Sequence, residues 1–133
     1  MGKRGRVGRG AAVAKKFVVK RVLVVDVGGN WVKILASGHK VHRSLPSGSK
    51  MTPKEMVSSA KRLAVDWAYD VVSTGYPGPV LRSRPIAEPH NLGRGWVGFD
   101  FARAFGRPVK VVNDAAIQAR APDDRSNQTR VKP

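Results

Sequence analysis

The sequence predicts an α/β domain, a mixed β-sheet with helices laid against it, and three observations carry that expectation. Short β-branched apolar runs recur at residues 22–27 and 108–112, as strands with a buried face require. A capped amphipathic stretch begins at Thr52 between them. Glycine, proline and asparagine cluster where the runs stop, marking turns. At 133 residues the chain suits one domain.

The elements follow in order. Val-Leu-Val-Val-Asp-Val over 22–27 has strand length and composition. Gly28, Gly29 and Asn30 accept positive φ cheaply, which suits a tight turn. Residues 31–36 and 40–45 alternate large apolar with other residues, so a meander of three antiparallel strands is expected. After a loop over 46–51, Thr52 can cap a helix, Pro53 fits its first position and Glu55 completes a capping box. Met56, Ala60, Leu63, Ala64 and Trp67 then fall on one helical face. A strand over 70–74 returns and is broken by Gly75-Tyr76-Pro77-Gly78-Pro79. Residues 80–98, rich in Pro, Gly and Arg, read as irregular. A short helix over 100–105, a strand over 108–112 and a helical run over 115–119 complete the pattern. The order β-β-β-α-β-α-β-α is that of the ribonuclease-H-like fold.

Charge divides the chain. There are 25 Lys and Arg against 9 Asp and Glu, a net charge of +16. Residues 1–21 hold eight of the cations and no acid, so they read as a disordered basic arm, either solvated or in contact with a polyanion. Residues 22–119 form the expected domain, and 120–133 a polar disordered tail without large apolar residues before Val131. With no cysteine, disulfide frameworks and thiolate metal sites are excluded. No apolar run nears the roughly 20 residues of a membrane-spanning helix, and no signal-peptide pattern opens the chain. A cytoplasmic protein without membrane contact is the expectation.

Three features could carry chemistry. Asp26-Val27-Gly28-Gly29-Asn30 joins two strands through glycines that let backbone amides approach phosphate, beside a carboxylate able to hold magnesium. A plain hairpin fits the same residues. Asn113-Asp114 ends a strand, where a carboxylate can act as a general base or simply cap a helix. Gly75 to Pro79 follows another strand, either as a turn or as a ligand loop.

Taken in order and spacing, these features resemble the ROK family of sugar kinases and related repressors, within the actin-like ATPases. The resemblance runs from Val22 to about Ala119. Asp26 to Asn30, with Lys33, is similar to that family's first phosphate loop. Gly75 to Pro79 is similar to its loop beside the sugar, Pro89-His90-Asn91-Leu92 to its sugar-binding segment, and Asn113-Asp114-Ala115 to its catalytic segment. The polyphosphate- or ATP-dependent glucokinase-like branch is nearest in tone.

The resemblance implies a phosphotransferase acting on the 6-hydroxyl of a hexose, with Mg2+ and ATP or polyphosphate. Asp114 would be the catalytic base. Asn91, Asn113 and Asp114, with Gly75, Pro77 and Gly78, would hold the sugar. Asp26 would stand near the magnesium, directly or through water, while Gly28, Gly29, Asn30 and Lys33 would face the phosphates. Asn30 departs from the family's threonine and lacks its hydroxyl. The family's second lobe, with the adenosine pocket, has no counterpart before the polar tail, so a single truncated lobe with little activity alone is expected. A shifted reading frame or premature stop would produce such a tail. Full-length members allow a homodimer. The alternative is a ROK-type regulator or a basic polyanion-binding protein, although about twenty Gly- and Arg-rich residues are too few for a helix-turn-helix.

Overall fold

The structure, a computed structural model, describes residues 20–115. The basic arm before Lys20 and the tail lie outside the described residues, as do all but Asp114 and Ala115 of the last expected helix. Strands β1 (Val22–Val27), β2 (Trp31–Ala36) and β3 (Arg43–Pro46) form the expected meander. Helix α1 (Pro53–Leu63) leads to β4 (Val71–Tyr76). A small hairpin, β5 (Val80–Leu81) and β6 (Arg84–Pro85), precedes α2 (Phe101–Phe105) and β7 (Val109–Asn113). The main sheet has the order β3-β2-β1-β4-β7. Its β1-β2 and β2-β3 pairs are antiparallel, whereas β1-β4 and β4-β7 are parallel.

Alternation decides where the core lies. Leu23, Val25 and Val27 of β1 are fully buried, while Val22, Val24 and Asp26 between them are half-buried. Val32, Ile34 and Ala36 of β2 and Val72, Thr74 and Tyr76 of β4 share the buried face. Met56, Val57 and Ala60 of α1 join it in one buried cluster with Trp96, Phe101 and Phe105. Each such side chain contributes roughly 1.5–3 kcal/mol by leaving water. The core is therefore one-sided.

The α1 start matches its signals. The Glu55 amide donates to Thr52 Oγ1 at 3.2 Å, and the Thr52 amide donates to Glu55 Oε1 at 3.0 Å. The helix ends earlier than expected, with Ala64 as its C-cap. Trp67 is buried beyond that end, its ring 4.8 Å from the His39 ring and covered by the Arg43 guanidinium at 4.0 Å. Helix α2 is capped by Asp100 Oδ1, which accepts from the Arg103 amide, and stops at Gly106, with φ +69°.

Four local expectations are corrected. The third strand begins at Arg43 rather than 40, because the turn after β2 extends over Ser37 and Gly38, the latter at φ +85°. Strand β4 continues through Gly75 to Tyr76, since β1 and β7 both pair with Gly75 and β7 also pairs with Tyr76. None of Gly28, Gly29 and Asn30 has a positive φ. Their smallness serves close approach instead: a Cβ on Gly28 would lie 3.1 Å from the Trp31 carbonyl oxygen. Finally, residues 80–85 form a hairpin whose turn residues, Arg82 (φ 52°) and Ser83 (φ 64°), are left-handed without being glycine or asparagine. The sequence carries none of the usual signals for such a turn. Ser83 Oγ accepts from the Val111 amide at 2.8 Å, tying this hairpin to β7 at the sheet's edge.

Candidate functional site

Strands β1, β4 and β7 run parallel and adjacent, so their carboxyl ends share one edge of the sheet. The register puts Asp26 level with Gly75, and Gly75 level with Val112. With neighbouring strands about 4.8 Å apart, Asp26 and Val112 stand about 10 Å from each other across β4. Asn113 and Asp114 continue beyond Val112 on that edge. In sheets of this kind ligands collect outside the carboxyl ends of the strands.

The glycine hairpin after β1 is held from two sides. The Gly28 amide donates to the Trp31 carbonyl at 2.9 Å, which commits it to the hairpin rather than to a ligand and departs from the expectation for that amide. Ser47 Oγ donates to the Gly28 carbonyl at 2.7 Å, and the Ser47 amide donates to the Asn30 carbonyl at 2.9 Å. A Cβ on Gly29 would stand 3.1 Å from Asn91 Cβ. Glycine here lets the Asn91 segment close over the hairpin. Asn30 and Asn91 are both exposed. Lys33 is exposed on β2, directly opposite Asp26 on the same face of the sheet.

The loop after β4 is braced by Asn113. Its Nδ2 donates to the Gly78 carbonyl at 2.7 Å, and its Oδ1 accepts from the Ala115 amide at 3.0 Å. One side chain thus links the Gly75-to-Pro79 loop to the segment that presents Asp114. Gly78 lies against the Tyr76 ring, where a Cβ would come within 2.8 Å of Cε2. Tyr76, fully buried, donates its hydroxyl to the Ala87 carbonyl at 2.7 Å. Burial, with a smaller push from Glu88, raises its pKa to about 12.

Glu88 organises the Asn91 segment. Its carboxylate accepts from the amides of Gly95 (2.9 Å), Trp96 (3.1 Å) and Val97 (3.0 Å). Desolvation acts to raise its pKa, but these three amides and Arg94 more than offset it and leave the carboxyl below its usual range. Gly93 fits under the same segment, its amide donating to the Met51 carbonyl at 2.8 Å. Sequence reasoning missed Ser47, Tyr76 and Glu88 as supports. Only Glu88 left a trace, as the one acid in the basic, Gly- and Pro-rich stretch 80–98.

The edge thus brings together the Asp26 hairpin, Asn91, Gly75, Pro77, Gly78, Asn113 and Asp114, with Lys33 beside Asp26 on the sheet. Among the described residues no group of three or more His, Cys, Asp or Glu could hold a metal ion. Magnesium does not require such a cage, because it commonly binds through one or two carboxylates with substrate phosphates and water. Asp26, at a glycine-lined strand end, fits that mode. No helix among the described residues is long and apolar enough to cross a membrane.

No family model matches the sequence, and no curated protein sequence matches it. Solved structures do match the fold. A ROK hexokinase from Thermus thermophilus aligns with 71% of the chain at 22% identity and a TM-score of 0.56. A ROK family glucokinase from Streptomyces griseus, solved with glucose and AMPPNP, aligns with 74% at 20% identity and a TM-score of 0.58. The chain spans 35% of the length of each.

Proposed function

From a fold shared with part of the ROK sugar kinases, we propose that this chain supplies one wall of a hexose kinase site. The observation that carries this reading is the level placement of Asp26, Gly75 and Val112 on three adjacent parallel strands. It sets the Gly28-Gly29 hairpin and the segment that carries Asp114 on one edge, with two strand spacings between them. In this reading Asp114 takes the proton of the sugar 6-hydroxyl as that oxygen bonds to the terminal phosphorus. The bond from phosphorus to the donor's bridging oxygen breaks, and the shortened donor departs. Asn91 orients the sugar hydroxyls. Asn113 acts mainly through its bonds to Gly78 and Ala115, keeping the sugar loop and Asp114 in fixed relation. The Gly29 amide, Asn30 and Lys33 face the phosphates of ATP or polyphosphate. Bound magnesium would neutralise developing phosphate charge, and Asp26 would hold it directly or through water.

The test has two arms. Titrating the 15N-labelled chain with glucose should shift the amides of Asn91, Asn113 and Asp114, while magnesium with ATP or polyphosphate should shift Gly29 and Asn30. Shifts elsewhere, with this edge unmoved, would overturn the assignment. Sugar phosphate from glucose and either donor is expected at most in trace from this chain alone, and whatever forms should disappear with Asp114→Ala. Product that survives that substitution removes Asp114 from the chemistry.

A further inference from the structure

The opposite end of the same three strands holds a different assembly. Arg21 precedes β1, Asp70 precedes β4 and Arg107 precedes β7. With Lys61, Trp67 and Tyr69 they line a cleft of about 580 Å³. Three cations face one carboxylate there, an excess of two positive charges.

Those cations are held in place by neutral groups as much as by the acid. Arg107 donates through Nε to the Tyr69 carbonyl at 3.3 Å and through Nη1 to the Gly106 carbonyl at 3.0 Å. Lys61 Nζ donates to the Ala104 carbonyl at 3.1 Å. Arg21 meets Asp70 through Nε at 3.2 Å and Nη2 at 3.1 Å. Each cation keeps further N–H donors beyond these bonds. Positioned cations lose little entropy when a ligand arrives, which favours binding.

We propose that this cleft binds an oligophosphate, a chain of linked phosphoryl groups, as an anion site separate from the carboxyl edge. Its size admits several phosphoryl groups rather than a single phosphate. Its rings are engaged already: Trp67 packs on His39 beneath Arg43, and the Arg107 guanidinium lies 5.6 Å from the Tyr69 centroid. Stacked nucleobases would need open rings, so recognition rests on phosphate charge.

The experiment titrates the full 15N-labelled chain with sodium tripolyphosphate, with ATP as a second arm and inorganic phosphate as control. Saturable shifts are expected at Ala64, Ala68, Tyr69 and Arg107. Equal effects of tripolyphosphate and ATP are expected, since both present linked phosphates, and a much tighter response to ATP would overturn recognition by phosphate charge alone. Lys61→Gln, an exposed change that should leave the melting curve unaltered, is expected to weaken the dissociation constant about fivefold, or about 1 kcal/mol. Lys61→Gln with Arg107→Gln should abolish saturation. The proposal is overturned if Lys61→Gln leaves the affinity unchanged, or if the shifts fall only in residues 1–19 or only at Gly29 and Asn30.

Discussion

The two ends of the central sheet are held by different forces. At the carboxyl end the loops are fastened by hydrogen bonds to backbone groups: Asn113 to Gly78, Tyr76 to Ala87, Ser47 to Gly28, and Glu88 to three successive amides. At the amino end, and just past the end of α1, exposed charged side chains do the joining: Arg21 pairs with Asp70 and Arg43 with Asp66, while Arg107 and Lys61 reach the carbonyls of Tyr69 and Ala104. Exposed pairs of this kind contribute little, about 0–1 kcal/mol, and salt screens them. A part-buried bond to a carbonyl costs more to lose, because the abandoned group must go unsatisfied. The carboxyl end, where the proposed phosphoryl transfer needs fixed geometry, is built from short-range contacts that salt screens little.

The largest expected effect is at the carboxyl end. In Gly93→Ala the new Cβ would meet the Lys50 carbonyl oxygen at 2.6 Å and the Met51 carbonyl oxygen at 2.8 Å. Both are backbone atoms that cannot swing aside, so urea unfolding should show a loss of about 3 kcal/mol. A loss under about 1 kcal/mol would show that the Asn91 segment is not held as described. Tyr76→Phe removes the hydroxyl's bond to the Ala87 carbonyl, for an expected loss of about 1 kcal/mol in the same measurement. Between the two ends, Thr74 is fully buried and its hydroxyl has no partner. Thr74→Val is therefore expected to stabilise by up to about 1 kcal/mol, raising the urea midpoint. A fall would mean that the hydroxyl is bonded after all.

The smallest effect on stability is expected at the amino end. Hydrogen bonds from the Arg21 side chain and then its amide hold the Asp70 carboxyl at about 2, below its ordinary 3.8. A lowered folded-state value means that the stabilisation is present above the unfolded carboxylate's range and is lost as pH falls toward 2. In Arg21→Gln the Asp70 titration, followed by carbon NMR, should move up toward 3.8, and the acid-side loss should shrink. If Arg21→Gln cost as much near neutral pH as Gly93→Ala, the contrast between the ends would fail.

The legible parts of the fold were those set by local chemistry. The Thr52-Pro53-Glu55 start is written in three residues, and both halves of its capping box are formed. The β1-β2 hairpin showed in period and glycine content, although the glycines serve approach to Trp31 and Asn91 rather than positive φ. What escaped depended on partners far along the chain. Trp67 looked like a helical core residue because its spacing continued that of α1, yet it is buried by His39 and Arg43 after the helix has ended. The β5-β6 turn was invisible because Arg82 and Ser83 adopt φ values that local preference disfavours. Of the candidate site, the four motifs were readable in order. Their supports were not, since Glu88, Ser47 and Tyr76 act on backbone groups that carry no residue identity.

The Ser83 hydroxyl has a consequence beyond its own turn. A border strand with bare amides is a template on which another copy can be laid down, the first step toward ribbons and fibrils. By occupying the Val111 amide, Ser83 acts as a stopper at that register. Ser83→Ala would uncork it, and self-association rather than misfolding is the failure to look for.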